Sequence, residues 1–203
     1  SGGVSSMNLT REEARHRSEI IKVERYHVRI DVRGADADGA THFTSNTRVR
    51  FSTTEPDTFL DLLDGEIESV IVNGEEVEPE YDGSRIQLHG LHTHRENLVI
   101  VTAKLPYQHT GQGLHRFVDP ADGKVYLYTH FEAADSRRMY SVFEQPDLKA
   151  HVDFDVIAPS DWRVASNQVH EDIREEEDGL LHDFALTPRM SRGEGEIVQE
   201  AIF

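Results

Sequence analysis

Residues 125–152, VYLYTHFEAADSRRMYSVFEQPDLKAHV, join two predicted strands through a segment of irregular pattern. The first strand has a period of two, and one of its faces carries Tyr126, Tyr128 and His130. This alternation ends at Glu132, and a second alternating run begins near Leu148. A carboxylate at the end of a strand, with irregular backbone after it, is a common location for functional groups in sheet proteins.

The order of residues in this stretch resembles the amino-terminal domain of aminopeptidase N-type zinc metallopeptidases, in their actinobacterial form. That family has a strand ending in polar–x–Glu/Gln–Ala, then Ala-Asp-x-Arg, then Phe-Asp-Glu-Pro-Asp-x-Lys-Ala. The matching stretches here are HFEA at 130–133, ADSR at 134–137 and FEQPDLKA at 143–150. Two acids of the last signature are changed, to Glu144 and Gln145. The resemblance covers about residues 9–191.

The remainder of the chain predicts short strands separated by polar turns. A capping box that begins at Thr10 predicts one helix from about residue 11 to 21. Asn-Gly at 73–74 and Asp-Gly at 82–83 favour tight hairpin turns. The continuous apolar run 98–105 predicts a strand that is buried on both faces. We therefore expect an all-β fold, a curved and mostly antiparallel β-sandwich or saddle with a short amino-terminal helix, which the resemblance also implies.

A single domain is predicted for residues 7–191. Residues 1–6, which precede Met7, are expected to be a remnant of cloning. Residues 192–203 form an atypical tail, because the family would continue from this point into a strand that leads to its catalytic domain.

The composition is strongly acidic, with 38 Asp and Glu against 21 Lys and Arg and a net charge of −17. Such a charge disfavours nucleic acid and anionic membrane surfaces as partners, and it is compatible with a cationic ligand such as a peptide's α-ammonium group. The chain has no cysteine, and no apolar run approaches the roughly 20 residues that span a bilayer. These features predict a cytoplasmic protein.

The zinc motif of the family is absent from the sequence. A His-Glu-x-x-His helix presents two imidazoles on one face, but the only His-Glu pair here lies in HEDIR at 170–174, which has no second histidine at that spacing. The Gly-x-Met-Glu-Asn motif is missing as well. The resemblance therefore implies that zinc belongs to the full-length enzyme, and that this chain has neither catalytic residues nor a metal site and is inactive alone.

Glu132 is the best candidate for a substrate-binding residue. In the family, the matching Glu or Gln binds the free α-ammonium group of the substrate, and a carboxylate supplies a charge-assisted hydrogen bond to such a group. The alternative is a carboxylate that accepts hydrogen bonds from backbone amides at a helix start. By the same positional match, His130 would line the pocket for the first side chain of the substrate.

The sequence HGLHTH places His89, His92 and His94 close together and raises the possibility of a metal site. Two histidines two positions apart on a strand share a face, but His89 would need a turn at Gly90 to join them. The sequence supplies no acidic or thiolate partner in the pattern, so we interpret this segment as a surface loop.

These observations predict the noncatalytic amino-terminal domain of a zinc-dependent aminopeptidase that removes amino-terminal residues from peptides. The domain would form one wall of the active site and help to bind the α-ammonium group, and its partners would be peptide amino termini and the catalytic domain of the same polypeptide. The alternative is a stand-alone, β-rich protein-interaction module without catalytic function.

Overall fold

The structure is a computed structural model. It describes residues 9–109, 113–130, 136–148, 150–160, 163–165, 171–176, 179–186 and 200–202.

Strands dominate the described residues, together with one α-helix and two single-turn 3₁₀ helices at Ser136–Arg138 and Pro146–Leu148. In chain order the elements are α1 (Arg11–Ile20), β1 (Ile21–Asp31), β2 (His42–Thr53), β3 (Thr58–Asp61), β4 (Glu66–Val72), β5 (Glu75–Val77), β6 (Arg85–Leu88), β7 (Asn97–Pro106), β8 (Gly113–Val118), β9 (Val125–His130), β10 (His151–Ala158), β11 (Arg163–Ala165), β12 (Glu171–Glu176), β13 (Gly179–Leu186) and β14 (Glu200–Ile202).

Helix α1 begins with the predicted capping box. The Thr10 hydroxyl accepts from the amide of Glu13 at 3.1 Å, and the Glu13 carboxylate accepts from the amide of Thr10 at 3.1 Å. The helix ends at Ile20, one residue before the predicted boundary, because Ile21 is already extended and begins β1 with a buried side chain. The predicted helix is confirmed.

The strands form three sheets. The largest has the order β12-β13-β10-β1-β2-β7-β4-β5, the second has the order β11-β14-β9-β8, and β3 pairs with β6. Most pairings are antiparallel, and the parallel ones are β1 with β10, β11 with β14, and β14 with β9. The prediction of an all-β, mostly antiparallel fold with a short amino-terminal helix is confirmed.

The two predicted turns are present. Asn73 and Gly74 have φ angles of 49° and 86° and connect β4 to β5, which pair as an antiparallel hairpin. Gly83 has a φ of 97° in a turn that is closed by an isolated bridge between Tyr81 and Ile86. Both turns therefore use residues that tolerate positive φ at little cost.

Strand β7 differs from the prediction of burial on both faces. Val99, Val101 and Ala103 are buried, but the alternate face is only partly covered, and Lys104 on that face is exposed. β7 pairs with β2 and β4 inside the large sheet, so its edges are covered, whereas only one of its faces packs against the core. The apolar side chain of Ile100 on the other face is partly exposed to solvent.

The hydrophobic core receives side chains from all three sheets and from residues 136–148. It includes Val28, Phe51, Leu60, Leu127, Phe143 and Phe154. The ring of Phe143 meets that of Phe51 edge to face with centroids 5.0 Å apart. Within the described residues, no helix has the length and apolar character that crossing a bilayer requires.

Candidate functional site

The candidate site is built on the hairpin of β8 and β9, whose last residue lies two positions before Glu132. In its antiparallel register Gly113 is opposite His130 and His115 is opposite Tyr128. The backbone of β8 therefore lies directly beside the end of β9, where the sequence changes from strand to irregular pattern.

Four aromatic side chains occupy one face of this hairpin, and we call them the aromatic ladder: His115, Phe117, Tyr126 and Tyr128. The rings of His115 and Tyr128 are stacked at 4.7 Å, and those of Phe117 and Tyr126 at 5.1 Å. Stacked pairs across neighbouring strands add stability beyond the apolar area that they bury. The ladder therefore makes a firm support next to the end of β9.

The position opposite His130 requires glycine. Gly113 has a φ of 118°, and an added Cβ would lie 2.8 Å from Cγ of Gln108. Gln108 is held in place because its amide donates to the carbonyl of Leu114 at 2.8 Å. The side chain of Gln108 thus packs closely against β8 at Gly113 only because residue 113 has no side chain.

Residues 136–148 return from the hairpin to the core and are held by polar contacts. The amide of Ser136 donates to Oε1 of Glu144 at 3.0 Å, and the amide of Leu63 donates to the carbonyl of Arg137 at 2.8 Å. The amide of Phe143 donates to the hydroxyl of Tyr26 at 3.0 Å. Burial raises the pKa of Tyr26, so this hydroxyl is neutral at physiological pH.

A buried polar cluster lies beneath this segment and joins it to α1. Arg17 Nη2 is 2.9 Å from Asp61 Oδ2, and Arg17 Nε donates to Gln145 Oε1 at 2.6 Å. The Arg17 guanidinium lies 4.4 Å from the ring centroid of Phe59 and 5.5 Å from that of Phe143. Arginine suits this location because its planar group can donate several hydrogen bonds at its edge while its faces contact aromatic rings.

The neutral side chain of Gln145 completes the cluster. Its Nε2 donates to the carbonyl of Ala14 at 2.9 Å, to Ser18 Oγ at 2.7 Å and to Asp147 Oδ1 at 3.0 Å. An amide can donate on one side and accept from Arg17 on the other, which a carboxylate at the same position could not do.

The two predicted substrate-binding residues are only partly covered by the described structure. His130 is described by its backbone, which ends β9 opposite Gly113. Glu132 lies outside the described residues, as does the side chain of His130. Their substrate-binding roles therefore stay predictions.

Sequence reasoning did not identify Arg17, Asp61 or Gln145 as members of a cluster. A signal was present in α1, where Glu13, Arg17 and Ile20 recur at the helical spacing of one face. Of these, Arg17 and Ile20 are buried, and Glu13 pairs with Arg85 at 2.5 Å. The helix therefore shows a buried face only when Arg17 is counted among the inward-facing residues.

The histidines of HGLHTH lie in the loop between β6 and β7. His89 is exposed, with Nδ1 2.9 Å from Asp57 Oδ1 and Nε2 2.5 Å from Glu80 Oε2. Hydrogen bonds to the two carboxylates raise the pKa of His89. Because the two carboxylates bind opposite edges of the ring, they do not converge on one point as metal ligands would.

The described residues do not provide a zinc site. No group of three or more His, Asp or Glu side chains in this part of the chain is arranged to hold a metal ion. Since the sequence also lacks the two-histidine helix motif, these residues do not fit the zinc ion that the resemblance implies for the full-length enzyme.

A family model and two curated proteins match most of this chain. Residues 24–192 match the family model described as the peptidase M1 N-terminal domain. The chain is 42% identical over 188 residues to aminopeptidase N of Streptomyces lividans, which covers 91% of this chain and 21% of that protein. It is 29% identical over 175 residues to a probable aminopeptidase 1 of Saccharolobus solfataricus, covering 83% of this chain and 20% of that protein.

Among solved structures, the fold is similar to an M1 zinc metallopeptidase from Deinococcus radiodurans. The TM-score is 0.64 at 17% sequence identity, covering 82% of this chain and 39% of that chain. A mutant of that metallopeptidase bound to a Tyr-Ser-Ala substrate gives a TM-score of 0.66 at 15% identity, with the same coverage. The chain thus spans about a fifth of the length of the curated relatives that it matches.

The family model covers most of the chain, and the likeness in fold agrees with it. The chain belongs to the peptidase M1 N-terminal domain family.

Proposed function

We propose that this chain is the noncatalytic amino-terminal domain of a zinc-dependent aminopeptidase and forms one wall of its active site. The observation that carries the proposal is the 42% identity to an aminopeptidase N over 91% of the chain. That match extends over nearly all of the domain, including the stretch from β9 to residue 150 that carries the signatures of the family.

The proposed contribution of this domain is recognition of the substrate's free amino terminus by Glu132. An aminopeptidase must distinguish a charged α-ammonium group from an internal amide, and a carboxylate does so through a charge-assisted hydrogen bond. The β8–β9 hairpin, in which Gly113 pairs with His130, ends two residues before Glu132 in the sequence and supports this role by fixing the backbone that leads to it. His130 would line the pocket for the first side chain of the peptide.

The overall charge of the chain supports a cationic ligand. A net charge of −17 attracts peptide amino termini and repels phosphate backbones and anionic lipid, so we propose neither nucleic acid nor a membrane as a partner. The absence of cysteine from the sequence favours the cytoplasm.

Under this proposal, zinc and the hydrolytic residues belong to a catalytic domain of the same polypeptide. Zinc would supply an activated water molecule there. The chain described here would bind and orient the amino terminus of the peptide and would not itself hydrolyse aminoacyl substrates.

The test is kinetic and uses the complete polypeptide that carries this domain and a catalytic domain. We expect Glu132→Ala to lower kcat/KM for an aminoacyl reporter substrate by about tenfold to a hundredfold, since a hydrogen bond to a charged group is worth about 1.5–3 kcal/mol. The same variant should lose its preference for an inhibitor with a free α-amine over the matching desamino compound.

Glu96→Ala is the matched control, because Glu96 is a glutamate in an exposed ion pair with Arg50 on the large sheet. Its kcat/KM should equal that of the unmodified enzyme. If Glu132→Ala retains both the full kcat/KM and the preference for the free amine, Glu132 does not bind the α-ammonium group.

A further inference from the structure

The turn between β4 and β5 contains an asparagine followed by a glycine, a pair that can react without any enzyme. Asn73 and Gly74 have φ angles of 49° and 86°. In such a pair the backbone nitrogen of the glycine can attack Cγ of the asparagine side chain, because a glycine has no side chain to obstruct the approach. The only co-reactant is water.

The attacking group is available to solvent. Gly74 is exposed, and so are all three residues of β5 that follow it. β5 is the last strand of the large sheet, so the turn lies at an edge of that sheet. Among the described residues, the amide of Gly74 has no hydrogen-bond partner.

The Asn73 side chain, in contrast, is held on β7. The amide of Leu98 donates to Asn73 Oδ1 at 2.9 Å, and Asn73 Nδ2 donates to Asn97 Oδ1 at 2.9 Å. β4 lies between β7 and β5 in the sheet, so the side chain reaches to one side of β4 whereas Gly74 leads the chain to the other. Attack on Cγ therefore requires the side chain to leave β7 and to break both hydrogen bonds.

The residue that accepts from Asn73 Nδ2 is itself fixed. Asn97 is 0% exposed, its Oδ1 also accepts from the amide of His92 at 2.8 Å, and its Nδ2 donates to the carbonyl of His92 at 2.9 Å. Asn97 thus connects the β4–β5 turn to the loop 89–96.

We propose that Asn73 is a site of spontaneous deamidation, and that its hydrogen bonds to Leu98 and Asn97 control the rate. The Gly74 nitrogen loses its proton and bonds to Cγ, the Cγ–Nδ2 bond breaks, and Nδ2 takes up a proton and leaves as ammonia. Water then adds to either carbonyl of the resulting succinimide and opens the ring to aspartate or isoaspartate. One water is consumed for each ammonia released, and the reaction is independent of the proposed function.

The product cannot restore the contact with β7. A carboxylate at position 73 has no proton to donate to Asn97 Oδ1, and isoaspartate adds a methylene to the main chain of a two-residue turn. Deamidation therefore detaches the turn from Asn97 and adds a negative charge next to Glu75 and Glu76, which are exposed acids.

The first experiment compares the full chain with a peptide of residues 66–80, which lacks Asn97 and Leu98. Both are incubated at neutral pH, and conversion is followed by mass spectrometry of the fragment that contains Asn73 and by enzymatic methylation of isoaspartate. We expect the chain to react at Asn73 about tenfold to a hundredfold more slowly than the peptide, because two hydrogen bonds must break first.

The second experiment removes one of those hydrogen bonds. Asn97→Ala should speed the reaction at Asn73 by about threefold to tenfold. Thr102→Val is the matched control, because Thr102 Oγ1 accepts from Asn46 Nδ2 at 2.7 Å between β7 and β2, away from the turn. It should leave the rate at Asn73 unchanged.

Hydrogen exchange of the Leu98 amide provides a measurement that needs no variant, and it decides the question if Asn97→Ala does not fold. This exchange reports how often the contact with Asn73 Oδ1 is open. The ratio of the deamidation rate in the chain to that in the peptide should equal the open fraction to within about threefold.

Three results would overturn the proposal. Equal rates in the chain and the peptide would mean that Leu98 and Asn97 do not control the reaction. A peptide that converts, with no product at Asn73 in a chain whose Leu98 amide exchanges, would mean that Asn73 is not a deamidation site. An Asn97→Ala variant that reacts no faster than Thr102→Val would exclude Asn97 as the residue that restrains the side chain.

Discussion

Arg17 and Asp61 form a buried ion pair, with 2.9 Å between Nη2 and Oδ2 and with only 2% and 6% of the two side chains exposed. The pair joins α1 to Asp61, the last residue of β3. The residues are 44 positions apart in the sequence. The amino-terminal helix is thus attached to the domain through a charge as well as through the apolar side chain of Ile20.

Removing one partner of this pair should be strongly destabilising. Arg17→Ala leaves the Asp61 carboxylate buried without its guanidinium, and we expect the free energy of unfolding to fall by about 3–5 kcal/mol, measured by urea titration. Arg50→Ala is the matched control, because Arg50 pairs with Glu96 at the surface at 3.4 Å. That change should cost less than about 1 kcal/mol. Equal losses for the two variants would contradict the importance of the buried pair.

Restoring the acid that the family has at position 145 should destabilise this chain. Gln145→Glu removes the Nε2 donor and brings a second carboxylate to the side of Asp147, where the donor now lies 3.0 Å from Oδ1. We expect the free energy of unfolding to fall by about 1–3 kcal/mol at pH 7, because the carbonyl of Ala14 and Asp147 Oδ1 lose their donor. The loss should shrink at acidic pH, where a protonated glutamic acid can donate again.

Gln87→Glu is the control for this exchange, because Gln87 is exposed on β6. It should change the free energy of unfolding by less than about 0.5 kcal/mol. A Gln145→Glu variant as stable as this control would show that the donor function of Gln145 is unimportant.

The contact between Gly113 and Gln108 can be tested by adding a methyl group. Gly113→Ala should lower the free energy of unfolding by more than Gly123→Ala, and both can be measured by thermal or urea unfolding. Both glycines have positive φ, at 118° and 71°, but an added Cβ at Gly123 would meet no atom within 4 Å. Gly123→Ala should therefore cost only the conformational strain of about 1–2 kcal/mol. A smaller loss at Gly113 than at Gly123 would contradict the close approach.

The ion pair of Glu13 with Arg85 should make stability depend on acidic pH. The hydrogen bond from Arg85 lowers the pKa of Glu13 from 4.5 to about 2. A carboxyl group with a lowered pKa in the folded state stabilises the fold above its unfolded pKa, and that contribution is lost as the pH falls from about 4.5 to about 2. Because a third of the Glu13 side chain is exposed, we expect solvent screening to limit the contribution to about 1 kcal/mol.

The measurement compares Glu13→Gln with the unmodified chain by urea unfolding between pH 7 and pH 2. The unmodified chain should be more stable at pH 7, and the difference should close as the pH approaches 2. A difference that stays constant over this range would mean that the charge on Glu13 is unimportant.

The parts of the fold that could be predicted from the sequence are those set by neighbouring residues. The capping box of Thr10 and Glu13 uses hydrogen bonds between residues three positions apart, and the Asn73-Gly74 turn depends on the φ preferences of two adjacent residues. Both patterns are visible in a short window of sequence.

The parts that could not be predicted depend on distant segments. Arg17 lies 128 positions from Gln145, and although it shares a helical face with Ile20, its charge would ordinarily assign it to the solvent. The partial exposure of one β7 face depends on which face packs against the core, which the apolar run alone does not specify. The roles of Glu132 and His130 were suggested by a resemblance, because no local rule assigns a ligand to a carboxylate at the end of a strand.

The parallel pairing of β1 with β10 has a consequence for how this domain forms on the ribosome. Arg29 and its pairing partner Asp155 are 126 positions apart, so one edge of β1 has no neighbour until most of the domain has been synthesised. At typical rates of translation this interval is on the order of ten seconds. During that time β1 presents an open edge to other nascent chains, and the exposed charges of Lys22, Glu24 and Arg25 at its start oppose pairing with them.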